Sequence, residues 1–317
     1  MSDLMEAARI AVRDCMGARE GESLLVISDE GTRSIGRALF DVGREMGLEA
    51  MIVEMLPRTR NGEEPPKAIA EIMKHVDILL IPTSKSLSHT VAREEACRNG
   101  VRCATLPGIS EDCMARTLAA DYSKVAARSR KYADILTSGS SVTITNADGT
   151  DITMKLDGRT SWPDTGILHT AGDFGNLPAG EAYIAPVEGT ANGVFVVDGA
   201  MAGSRYVGEK IKLHVENGYA TRIEGDEAAR ALEAIIAPLP MDARNIAELG
   251  IGTNDRAVIT GKVLEDEKVM GTIHIAIGDN SHMGGVIAVP SHLDGIVHSP
   301  TVVVDGVTIM KSGKFID

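Results

Sequence analysis

Aromatic side chains are scarce in this chain: they make up 3% of its residues, with a single tryptophan, Trp162. A surface that stacks nucleobases needs more of them. Basic residues are outnumbered, 32 Lys and Arg against 45 Asp and Glu, giving a formal charge of −13. No basic footprint of the kind that phosphate backbones require is present, so a nucleic-acid partner is not expected. No apolar run approaches the roughly 20 residues that span a bilayer, and none resembles a signal-peptide core, so neither a membrane span nor export is expected. The four cysteines (Cys15, Cys97, Cys103, Cys113) all fall early in the chain and form no C-x-x-C pair. They read as free, mostly buried thiols of a cytoplasmic protein. Also missing are a G-x-G-x-x-G loop after the first apolar run, where the chain reads SDEGTRS, a Walker A loop and a G-x-S-x-G elbow. Dinucleotide cofactors and serine-hydrolase chemistry are not expected.

What remains is an ordinary globular composition, 44% hydrophobic and 24% charged, over 317 residues. That length exceeds one typical core and points to two domains. The pattern supplies them. Up to residue 138, short apolar runs (SLLVISD, AMIVEM, DILLIPT, VRCATLP) alternate with helical stretches at 32–46, 66–75, 88–98 and 112–136. This predicts a Rossmann-like α/β domain, its parallel sheet covered on both faces, over residues 1–138. The amphipathic N-terminal segment, residues 1–20, reads as a further helix. From 139 to 317 the runs alternate in polarity and the turns are Gly-rich, as at Asp148-Gly149 and Asn217-Gly218. An α+β, mostly antiparallel domain is expected there, with one clear helix at 226–236 and a short one at 263–268.

Four of the eight histidines fall between positions 274 and 298. In GTIHIAIG the isoleucines at 273, 275 and 277 share one strand face, which leaves His274 among small residues on the other. The same pattern also suits a core histidine bonded to a carbonyl. In His292-Leu293-Asp294 an imidazole and a carboxylate point the same way, a ready pair for a divalent cation. Glu181 opens an apolar strand after a Pro-Ala-Gly turn, and Glu248 lies inside the apolar stretch NIAELGIG. Buried carboxylates are costly unless paired, hydrogen-bonded or metal-bound. Together Glu181, Glu248, His274, His292 and Asp294 could hold two divalent ions about 3.5–4 Å apart with a bridging hydroxide. With one ion, His274, His292 and Asp294 form the two-histidine, one-carboxylate face of non-haem Fe(II) sites.

The ordered motifs NLPAGE, AELGIGTN, LEDEKVMGTIHIAIG and SHLDG resemble the aminopeptidase T (M29) family of metallopeptidases. The resemblance implies that those five residues bind metal, with Glu181 and Glu248 as catalytic glutamates. It implies a hydrolase that releases N-terminal amino acids from small peptides, using one or two Zn, Co or Mn ions. It also suggests a homo-oligomer. Ser281 stands where that family has a tyrosine ligand, with His282 beside it as a substitute, and the chain is shorter than its members between His274 and His292. The fold also resembles that of 2,5-dihydroxypyridine dioxygenases, which keep a His, His, Asp triad on Fe(II). The alternative expectation is therefore a mononuclear ring-cleaving dioxygenase, with His89 or His169 as acid–base groups. A metal- or small-molecule-binding protein without catalysis is a third.

Overall fold

The computed structural model describes residues 3–203 and 208–316 and divides into two compact units. One comprises residues 1–126 and 165–179; the other comprises 127–164 and 180–317. The chain enters the second unit before residue 138 and returns to the first for fifteen residues, where sequence pattern alone showed a single change of rhythm.

In the first unit, β1 (Ser23–Asp29), β2 (Glu49–Met55), β3 (Ile78–Ile81) and β4 (Arg102–Thr105) form a parallel sheet. β1 and β3 are buried along nearly their whole length, as sheets covered on both faces require. The helix Arg33–Glu45 presents Ile35, Ala38, Leu39 and Val42 to the core. The single helix expected over 112–136 is two, Glu111–Thr117 in this unit and Tyr122–Ser138, most of which belongs to the second. Asp121 explains the restart: its carboxylate accepts from the backbone N–H groups of Ser123 and Lys124 at the new helix's first turn.

The strands of the second unit begin with the hairpin β5 (Ser141–Thr145) and β6 (Asp151–Lys155), followed by β7 (Trp162–Asp164). The chain then supplies β8 (Phe174–Asn176), which pairs parallel to β4 and completes the order β2-β1-β3-β4-β8 in the first unit. Back in the second unit come β9 (Glu181–Ile184), β10 (Asn192–Val197), β11 (Ile211–Glu216), β12 (Tyr219–Gly225), β13 (Ile246–Gly252), β14 (Ile273–Gly278), β15 (His292–Val297), β16 (Thr301–Val304), β17 (Val307–Lys311) and β18 (Lys314–Phe315). Two sheets result, β12-β11-β10-β6-β5-β16-β17-β18 and β15-β14-β13-β9-β7. Their pairings are antiparallel. The helices Glu227–Ile236 and Val263–Asp266 lie where the sequence pattern puts them. The mixed layout, parallel then antiparallel, is that expected from the sequence.

Both antiparallel sheets contribute to one buried apolar cluster, including Ile144, Phe195 and Leu213 from one and Ile184, Leu249, Ile275 and Val297 from the other. This fixes which face of the five-stranded sheet is left for chemistry. On β14, Ile273, Ile275 and Ile277 enter the core, so His274 and Ala276 face away. On β13 both Ile246 and Leu249 reach the core, although they are three residues apart. A register shift between Ile246 and Glu248 reconciles them and turns Glu248 and Gly250 to the opposite face.

Candidate metal centre

Alternation on the five strands brings the expected residues to one face. Cross-strand pairing sets Asp164 beside Glu181, Glu181 beside Gly252, Gly250 beside His274, and Ala276 beside Asp294. The small residues Gly250, Gly252 and Ala276 leave room for the long polar side chains.

All five residues singled out in the sequence meet there. His274 Nε2 lies 3.2 Å from Glu248 Oε1 and 3.4 Å from Glu181 Oε2. His292 Nε2 lies 3.0 Å from Glu248 Oε2 and 3.3 Å from Asp294 Oδ1. Glu248 thus bridges the two imidazoles. Donor atoms of Glu248, His292 and Asp294 fall within 4.8 Å of one another, and so do those of Glu267, His274 and Asp294. Asp294 is common to both groups.

Three residues of this face were not anticipated. Lys268, almost wholly buried, places Nζ 2.6 Å from Glu181 Oε1, 2.9 Å from Glu267 Oε1 and 3.5 Å from Asp164 Oδ2. The sequence reading places Glu267 and Lys268 in the short helix at 263–268 and within the motif LEDEKVMGTIHIAIG, without assigning either a part in the site.

The electrostatics follow from burial. For His274 burial opposes protonation, but the hydrogen bond to Glu248 and the charges of Glu181 and Glu248 prevail and lift it to about 9. His292 rises for the same reason, beside Asp294 and Glu248. Burial works against ionised Glu248, yet its two imidazole partners hold its carboxyl well below the usual range. Burial raises Glu267 to about 8 and Asp164 to about 6, against the attraction of Lys268. Lys268 itself is held above the ordinary lysine value by Glu181, Glu267 and Asp164, despite its burial. Burial also pushes the Tyr183 hydroxyl up, together with the charges of Glu248, Asp164 and Glu181.

These groups suit a cation. His292 Nδ1 lies 2.8 Å from the Asp279 carbonyl, which can only accept, so Nδ1 carries hydrogen. In the neutral ring the Nε2 lone pair then faces two carboxylate oxygens. Such an arrangement is repulsive until a proton or a metal ion sits between them. Glu181 Oε2 is buried with no hydrogen-bond partner, another oxygen that a cation would satisfy. The Asp279 bond is also the outer support that ligating histidines ordinarily have.

Three other histidines were considered from the sequence. His89 and His169 are in the first unit, and His169 Nε2 bonds to the Asp14 carbonyl at 2.8 Å. His282 is exposed in the short turn Ser281–Met283, where the Ser281 hydroxyl donates to Asp279.

Comparison with known proteins decides the family. The model of the NicX family, 2,5-dihydroxypyridine 5,6-dioxygenase, matches residues 4–317. The chain belongs to this family. It is 23% identical over 250 residues to the 2,5-dihydroxypyridine 5,6-dioxygenase of Pseudomonas putida KT2440, covering 75% of this chain and 71% of that one. The solved structure of the 2,5-dihydroxypyridine dioxygenase from Pseudomonas putida KT2440 superposes with a TM-score of 0.83 at 19% identity, over 100% of this chain and 98% of that one. AmpT from Thermus thermophilus superposes with a TM-score of 0.73 at 16% identity, over 99% of both chains.

The aminopeptidase expected from the C-terminal motifs is thereby corrected. Membership of the dioxygenase family replaces the reading of a hydrolase acting in proteolysis. The motifs misled because they specify the sheet that carries the site, and AmpT shares that fold. A shared fold does not fix the reaction. Among the described residues no helix is long and apolar enough to cross a membrane.

Proposed function

We propose that this protein is a mononuclear Fe(II) ring-cleaving dioxygenase acting on a small dihydroxypyridine-type aromatic. The observation that carries the reading is the family match along residues 4–317, joined to a face that offers two imidazoles and a shared aspartate. His274, His292 and Asp294 would hold the ion. When bound, ferrous iron supplies the electron chemistry that dioxygen requires and leaves coordination positions open to substrate.

The chain's own residues prepare that site. Glu248 lies between the two imidazoles, 3.2 Å from His274 Nε2 and 3.0 Å from His292 Nε2, and supplies negative charge beside the ion position. The Asp279 carbonyl fixes the His292 tautomer with Nε2 toward the ion. His274, Glu181 and Glu248 are each less than 8% exposed, so the charges act in a poorly solvated setting where their fields are strong. Tyr183 stays a neutral phenol there, able to donate a hydrogen bond to a substrate oxygen but not to add another negative charge.

The test is oxygen uptake by anaerobically purified, Fe(II)-loaded protein given 2,5-dihydroxypyridine. One dioxygen consumed per ring lost is the expected result. Absence of uptake, together with hydrolysis of leucine p-nitroanilide by Zn-, Co- or Mn-loaded protein, would overturn it.

A further inference from the structure

We infer that Lys268 is a positioning residue that stands in for a second cation and limits this site to a single divalent ion. The inference rests on the metal-site reading above.

The donors of the site divide into two sets. Glu248 and Asp294 face the imidazoles of His274 and His292. Asp164, Glu181 and Glu267 face the ammonium of Lys268, at 3.5, 2.6 and 2.9 Å. Two of those three, Asp164 and Glu181, lie directly opposite one another on adjacent strands, where like charges repel unless a cation lies between them. Lys268 provides it. With its side chain 2% exposed, the ammonium has no water to turn to and is tolerable only in ionic company.

Its backbone is anchored as well. The Lys268 N–H donates to the Glu265 carbonyl, and its own carbonyl accepts from Asn254. The side chain therefore enters the site from a fixed root. A second divalent ion would need the oxygens that Lys268 holds, and would stand next to a buried positive charge. Glu181 shows the outcome: one oxygen is bound by Lys268, and the other is left only a 3.4 Å approach to His274. Of the Lys268 partners only Glu267 also has an oxygen grouped with His274 and Asp294.

The inference predicts metal stoichiometry. Apoprotein would be titrated anaerobically with Mn²⁺ alone, with bound ion counted by equilibrium dialysis and its state read by electron paramagnetic resonance. Wild type and Lys268→Arg should bind one ion with a mononuclear signal. Lys268→Met should bind two, with the exchange-coupled signal of a pair. A merely structural lysine would not produce that second ion. A folded Lys268→Met protein that still binds one ion would overturn the proposal. So would two ions in wild type, a measurement that needs no variant to fold. No ion bound to wild type would instead remove the metal-site reading itself, and this inference with it.

Discussion

Gly250 and His274 face each other across β13 and β14, and a Cβ built on residue 250 would lie 2.0 Å from His274 Cε1. Only hydrogen fits there while the ring keeps its place. Gly250→Ala should displace the imidazole and weaken metal binding about 10- to 100-fold, the usual effect of disturbing the support of a ligand. Chelator competition measures it. Unchanged affinity would show that the ring can move without loss.

Removing the donors themselves should act more strongly. His274→Ala, His292→Ala and Asp294→Asn should each retain less than about a tenth of the iron held by wild type, because three protein donors are few to lose one from. Asp294→Asn is the most informative, since this residue belongs to both donor groups. Elemental analysis of anaerobically purified proteins decides the matter. Full iron content in any of the three would remove that residue from the ligand set.

The opposite face of the same sheet answers to packing. Ile275 is fully buried in the cluster shared by both antiparallel sheets. Ile275→Ala should lower unfolding free energy by about 2–5 kcal/mol. Val307→Ala, at a side chain 65% exposed, should change it by less than about 0.5 kcal/mol. Equal effects in urea denaturation would contradict the burial of Ile275 in the shared cluster.

In the first unit a pH effect is expected at the root of β1. The Ser23 N–H and hydroxyl donate to Asp77 Oδ2 at 2.8 and 2.7 Å and hold its carboxyl below the usual value. A depressed carboxylate stabilises the fold above its unfolded value of about 4, and that contribution fades as pH falls through the folded one. The urea midpoint of Asp77→Asn should lie below wild type at pH 7, and the gap should narrow by pH 3. A gap that stays constant would show that ionisation of Asp77 plays no part.

Much of this was legible because strands announce their faces. GTIHIAIG set three isoleucines against His274, and the apolar setting of Glu248 marked it as costly to bury; both residues lie on the site face. Lys268 could not be seen this way. Charged residues in a row such as LEDEK are by default solvated, and only three-dimensional pairing shows that this lysine is buried. Nor could β8, three residues long, whose role depends on pairing with β4 more than 65 residues earlier in the chain. The family was hidden for a different reason: the motifs that stand out belong to a fold that a 2,5-dihydroxypyridine dioxygenase and AmpT both have.

The return of residues 165–179 to the first unit has a practical meaning for anyone dividing this protein. A stop codon anywhere between residues 126 and 174 would strip β8 from the sheet and leave β4 as an open edge. Such an edge invites pairing with another chain. A fragment ending at residue 138, the obvious place to cut from sequence, should therefore aggregate. Expressing the first unit alone calls for a redesigned chain in which residue 126 is linked to the 165–179 segment.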